Sequence, residues 1–264
     1  MADHRIETMK GALQILERAL SSLAHVVAPG VTPRDLAMVA EGILADAGAW
    51  AVLPKETNDR GTRFAWAACV CVNDAAANAT PTDIPLARGD LVTLDIAFGW
   101  PLDAAAKGAS RAVVDGATTV VVGNAKNVAA ARVRDAARAT TRACLAAVQP
   151  GITPAALREV AMAIVSASGV SLASIPLVHR VQQGHGPLHV ALAEQLPLQP
   201  GDVIAIEPLV VEGPGALKLD PDGFTLRTEN GRLAAYEECT MVVGDDESSP
   251  RIVPLGACRP WLFR

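Results

Sequence analysis

The chain has 264 residues, of which 50% are hydrophobic and 19% charged, enough apolar material for a sizeable core and too little charge for a disordered chain. A net charge of −5, a pI near 5.5 and an aromatic content of only 3% exclude a phosphate-backbone binder and a base-stacking platform, so no nucleic-acid partner is expected. The charged start, Met1 to Glu7, lacks the apolar segment of a signal peptide, and no run is long enough to span a membrane. Five cysteines without a CxxC pair read as reduced thiols, so the expectation is a cytoplasmic protein with no membrane partner.

Residues 5–27 read as an amphipathic helix that ends at Pro29-Gly30. Thr32 then caps a second helix, and Pro33 occupies its first turn, where a missing N–H costs nothing. Leu36, Val39, Ala40, Ile43 and Leu44 follow helical spacing, and Gly48 closes the helix. Further on, Cys69 and Cys71 would share one face of a strand, but no second pair completes a zinc site. Residues 86–95, LARGDLVTLD, form a Gly-Asp turn feeding a strand that ends in Asp95. Gly-Asn-Ala-Lys at 123–126 reads as a turn before another amphipathic helix over 126–148.

The second half then repeats the first. Residues 148–169, VQPGITPAALREVAMAIVSASG, match residues 27–48, VAPGVTPRDLAMVAEGILADAG, at an offset of 121 residues without a gap. Residues 198–207, LQPGDVIAIE, echo 86–95 at an offset of 112 and end in Glu207. An apolar strand that runs into an acid is costly unless the acid has a partner. Two related strands that do so suggest that Asp95 and Glu207 meet in a cleft across a pseudo-twofold axis. Three of the five histidines, His179, His185 and His189, fall in an 11-residue stretch, and imidazole exchanges protons near neutral pH. No GxSxG elbow or P-loop is present.

The segments VAPGVT, CVND at 71–74, IPLARGDLVTLDIAF, VQPGIT, PGDVIAIEPLV and YEECTMVV, in this order, resemble the pita-bread family of methionine aminopeptidases, prolidases and creatinases, from Ile6 to about Val243. The implied fold is α+β, with two pseudo-twofold-related halves, a curved antiparallel sheet and outer helices. A single domain would cover 1–264, with half-repeats near 1–120 and 121–264. Family members usually hold two divalent metals with two Asp, one His and two Glu. By resemblance the first Asp is Asp95, the His is His179, and the Glu residues are Glu207 and Glu238, with Glu237 the alternative by one residue. The second Asp, expected just before Ser110-Arg111, falls on Gly108, with Asp103 in an apparent insertion. Asn78 stands where the aminopeptidases place a substrate-contacting His. A second functional His falls on His185; a rival register makes His185 the metal ligand and His189 the later His.

With that acid missing, one divalent ion at most is expected, Mn, Fe, Co or Zn, held by His179, Glu207 and Glu238, or none at all. Arg180, if it turns inward, would neutralise Glu207 or Asp95 in place of metal. The expected activity is therefore a repurposed one. His179 and His185 would move protons in hydrolysis or elimination, on a small amino-acid-derived or carboxylate-bearing molecule positioned by Asn78, Asp95 and Arg180. Negligible activity on Met-Ala-Ser-type peptides follows. The alternatives are a mononuclear metal-dependent aminopeptidase or prolidase-type peptidase, and a non-catalytic binding protein; a homodimer is compatible with each.

Overall fold

The structure, a computed structural model, describes residues 2–101, 111–124, 126–183 and 189–244. In chain order the elements are α1 (Ala2–Val26), α2 (Pro33–Asp46), β1 (Trp50–Ala51), β2 (Cys69–Val72), β3 (Ala75–Ala77), β4 (Leu91–Trp100) and β5 (Ala112–Val121). The second half holds α3 (Val128–Ala147), α4 (Pro154–Ser168), β6 (Ser171–Leu172), β7 (Val178–Val181), β8 (His189–Ala191) and β9 (Val203–Ile206). It closes with β10 (Val210–Val211), β11 (Leu217–Leu219), β12 (Leu226–Thr228), β13 (Ala234–Ala235) and β14 (Glu238–Val242). No helix among the described residues is long and apolar enough to cross a membrane.

The predicted repeat is visible in its turn and cap hydrogen bonds. Thr32 caps α2 through the Asp35 N–H and forms a capping box with the Asp35 carboxylate, and Thr153 caps α4 through the Ala156 N–H. The turn before each cap needs a left-handed residue, and Gly30 (φ +90°) and Gly151 (φ +87°) supply it. Each of these glycines donates its N–H at 2.8 Å to the residue that opens the later echo, Leu86 in one half and Leu198 in the other. Gly89 and Gly201 follow suit, donating to Val122 at 3.0 Å and Val243 at 2.9 Å. Sequence similarity in the repeat is thus similarity of turn chemistry, which ties each helical hairpin to the start of its strand.

An eight-stranded antiparallel sheet runs in the order β1-β4-β5-β14-β9-β7-β8, with β2 also paired to β4. Side chains alternate between its two faces. On the helix-covered face Val92, Leu94, Ile96, Phe98, Ala112 and Val114 pack under α1 and α2. Val178, Ile204, Ile206, Cys239 and Met241 pack in the same way with residues of α3 and α4. The inner face is divided along its length. Ala97, Val113, Val181 and Ala205 join Leu53 and Phe64 at one end, and Ala117 joins Tyr236, Leu209 and Val211 at the other. Between these apolar ends the inner face carries acids. The described cysteines, Cys69, Cys71, Cys144 and Cys239, are buried thiols, and burial pushes Cys71 and Cys144 up to about 12, so they stay protonated.

Because both threonines accept the N3 backbone N–H and lie in different halves, Thr32→Ala and Thr153→Ala should each cost about 1 kcal/mol and add nearly independently in the double variant. Thermal or urea melts of the three variants measure this; a double variant no less stable than either single one would show that the caps do not hold the halves.

Candidate metal centre

Strand register builds the site. Asp95 lies opposite Ala117 on the β4–β5 hairpin, and Ala97 lies opposite Asp115, so the two aspartates are diagonal neighbours on the inner face. Across the sheet, Glu238 pairs with Ala117, Thr240 with Ala205, and Ala205 with His179. Two adjacent rows result: one carries Asp95 and Glu238, the other Asp115 and His179. The positions between them are filled by Ala97, Ala117, Ala205 and Thr240, which leave room for the longer polar groups. Glu207 follows the end of β9, and its backbone N–H donates to the Leu177 carbonyl at 2.9 Å.

Asp115, His179 and Glu238, all buried, bring one potential ligand atom each to within 4.8 Å of one another. The Nε2 of His179 lies 3.4 Å from Glu238 Oε1 and 3.4 Å from Glu207 Oε1. Its Nδ1 lies 3.1 Å from the Arg180 carbonyl, which can only accept, so Nδ1 carries a proton and Nε2 is the nitrogen that faces the acids. A lone pair aimed at carboxylate oxygens is repulsive unless a proton or a cation lies between them. Burial holds Glu238 well above the ordinary carboxylate range, and the charges of Asp115, Glu207 and Asp95 raise it further. A divalent cation would remove both penalties, and the set of carboxylate oxygens with one imidazole nitrogen suits Mn, Fe, Co or Zn. Asp95 is held by Tyr236, whose hydroxyl donates to Oδ2 at 2.7 Å. Burial and the Asp95 charge keep that phenol protonated, as a donor must be.

The structure corrects several expectations. The acid diagonal to Asp95 and in ligand range of His179 and Glu238 is Asp115, inside β5, and not a residue just before Ser110-Arg111. Gly108 and Asp103 lie outside the described residues. The signal was present: an acid in the middle of a ten-residue apolar strand that pairs back onto the strand of Asp95. Arg180 does not turn towards Glu207 or Asp95. Next to His179 on β7, it projects to the opposite face, and its guanidinium pairs with Asp202 at 3.1 Å. The ambiguity between Glu237 and Glu238 resolves by the same alternation: Glu237 points towards α3 and pairs with buried Arg138 at 3.2 Å. His179 meets the acids. His185 lies outside the described residues, and His189 begins β8 opposite Val181. Asn78 is exposed, at the end of β3, with a left-handed backbone at φ +53°.

A family model described as metallopeptidase family M24 matches residues 7–243. Methionine aminopeptidase 1 of Mycobacterium tuberculosis is 29% identical over 262 residues, covering 95% of this chain and 92% of that protein. Methionine aminopeptidase of Aquifex aeolicus is 28% identical over 247 residues, covering 92% and 93%. Among solved structures, methionine aminopeptidase from Rickettsia prowazekii superposes with a TM-score of 0.77 at 19% identity, covering 96% of this chain and 97% of that one. Prolidase from Pyrococcus furiosus gives 0.68 at 18% identity, covering 95% and 63%. At such identities the solved structures establish the fold, which is the expected curled antiparallel sheet with outer helices.

The raised Glu238 gives a signed prediction. Its folded value exceeds the ordinary 4.5, so the folded metal-free protein holds this proton more tightly than the unfolded chain does. That contribution is complete below the ordinary value and is lost as pH rises through the folded one. In chelator, the melting temperature should fall with rising pH above about 4.5, and Glu238→Gln should flatten the slope. Glu237, shifted in the same direction, is common to both proteins. Equal slopes in wild type and E238Q would show that Glu238 does not titrate in this way.

Proposed function

The chain belongs to metallopeptidase family M24, and on that premise we propose that it is a metal-dependent aminopeptidase that removes an apolar residue from the N-terminus of a peptide. The observation that carries this reading is Asp115, which brings a carboxylate into ligand range of His179 and Glu238. The expectation of one ion at most follows from the absence of that acid, and the expectation of repurposed chemistry from that absence together with Asn78 in place of a His. Asp95, Asp115, Glu207 and Glu238 would carry four negative charges only when all are ionised, a state that two divalent ions would balance. The proposed ligands are these four acids and His179. Bound there, divalent metal would polarise the scissile carbonyl and acidify a water molecule.

The remaining roles follow from exposure and placement. Glu207 is the most accessible acid of the set, with a side-chain exposure of 24% against 2% for Glu238. It is therefore the group that takes the proton from the attacking water at a carboxylate oxygen and returns it to the leaving amine. His185 keeps the proton-exchange role assigned by resemblance. Beside Asp115 on the inner face, Val113 and Val181 pack with Leu53 and with Phe64, whose ring meets Phe224 edge-on at 5.3 Å. This apolar wall suits the side chain of an apolar first residue. Asn78 donates an amide hydrogen bond to the substrate but cannot exchange a proton with it. That difference is what favours the second reading, action on a small carboxylate-bearing molecule.

Peptides of the Met-Ala-Ser type discriminate the two. Metal-loaded protein should release the first residue, and chelation should abolish release. Asp115→Asn and Glu238→Gln should each lower kcat/KM by at least about 100-fold, since loss of a group merely supporting a ligand already costs 10–100-fold. Asn78→Ala should raise KM more than it lowers kcat. Absence of metal-dependent release from any peptide would overturn the aminopeptidase reading.

A further inference from the structure

The edge of β5 that faces away from β4 is closed in an unusual way. Backbone N–H and C=O groups in a buried strand need partners, and on this edge they belong to Val113, Asp115, Ala117 and Thr119. The ladder to β14 includes only Gly116 and Ala117, paired with Cys239 and Glu238. Elsewhere side chains replace the missing strand. The Thr119 N–H donates to Glu237 Oε1 at 3.0 Å, and its carbonyl accepts from Arg138 at 2.9 Å. Asp115 uses the Thr240 hydroxyl for both groups, each at 2.8 Å. Val113 uses the side-chain amide of Gln183: its N–H donates to Oε1 at 2.9 Å and its carbonyl accepts from Nε2 at 2.9 Å. The same Nε2 also donates to the Val181 carbonyl at 3.1 Å.

Gln183 therefore bridges β5 and β7, which in the ladder order are separated by β14 and β9. It fastens β5 two residues before Asp115 and β7 two residues after His179. A side chain that mimics a strand on one side and holds its neighbour on the other fixes the separation of those two ligands across the curl of the sheet. We propose that Gln183 is a positioning residue for the metal centre, setting the Asp115–His179 gap and hence the affinity of the site for a divalent ion. This rests on the reading that the acid cluster holds metal. Gln183 itself, with both ends of its amide occupied by backbone groups, is not a ligand.

Cobalt(II) is the probe, because calorimetry gives its dissociation constant and its visible absorption bands report coordination geometry independently of any activity. Gln183→Ala removes the bridge, and Gln183→Met removes its hydrogen bonds while filling most of the same space, which favours a folded variant. Each variant with a wild-type circular dichroism spectrum should bind cobalt(II) roughly 10-fold more weakly, the lower range for loss of a supporting contact, with altered absorption bands. A folded variant with wild-type affinity and wild-type bands would overturn the positioning role while leaving the metal reading in place. Failure of the wild-type protein to bind cobalt(II) would overturn both.

Discussion

The architecture of the site depends on how briefly β5 and β14 pair. These strands join the two halves of the molecule, yet their ladder covers only Gly116–Ala117 against Cys239–Glu238. A longer ladder would bring every residue of β5 against backbone and leave no space between Asp115 and the strands of the second half. The strands instead diverge after Cys239, and Thr240 meets Asp115 through its hydroxyl rather than its backbone. Buried backbone groups must still be satisfied. The seam is therefore stitched by polar side chains, and the stitches become the walls of a polar cleft.

Glu237 and Glu238 show how position on this seam decides the chemistry of an acid. Both are buried, and burial raises both. Glu237 faces α3, where the Arg138 guanidinium and the Thr119 N–H stabilise its charge. Its neighbour faces the opposite way, towards Asp115, Glu207 and Asp95, each of which opposes ionisation. One is a structural ion pair, in which removal of either partner would strand a buried charge. The other is a group whose compensation has to come from a proton or a cation. Adjacent identical residues acquire opposite roles from the alternation of a strand.

The apolar ends of the inner face have a complementary part. Clusters around Phe64 and Val113 on one side and Tyr236 and Ala117 on the other flank the acid-bearing middle. Low local polarity strengthens each charge interaction there, which is why Tyr236 stays a phenol and donates to Asp95. The same surroundings push the thiols of Cys69 and Cys71 upward, so they line β2 as apolar groups rather than as nucleophiles.

Local chemistry was legible in the sequence. The Thr-Pro caps, the left-handed glycines and the Gly-Asp turns recur because each is encoded by a few consecutive residues, and they sufficed to mark the repeat, the helical hairpins and the two acids Asp95 and Glu207, although β4 does not end at Asp95 but runs on to Trp100. His179 was implied by the family resemblance, with His185 as the rival. What the tertiary structure decided is everything that depends on register between distant strands. The segment between β4 and β5 moved Asp115 away from the place that spacing alone would assign, and only the pairing of Ala97 with Asp115 shows it beside Asp95. Which of Glu237 and Glu238 faces the cleft, and that Arg180 meets Asp202 instead of Glu207, turn on one-residue alternation, which a slip of a single position reverses. The Gln183 side chain bonds a backbone 70 residues away in the chain, and no local pattern encodes a partner at that distance.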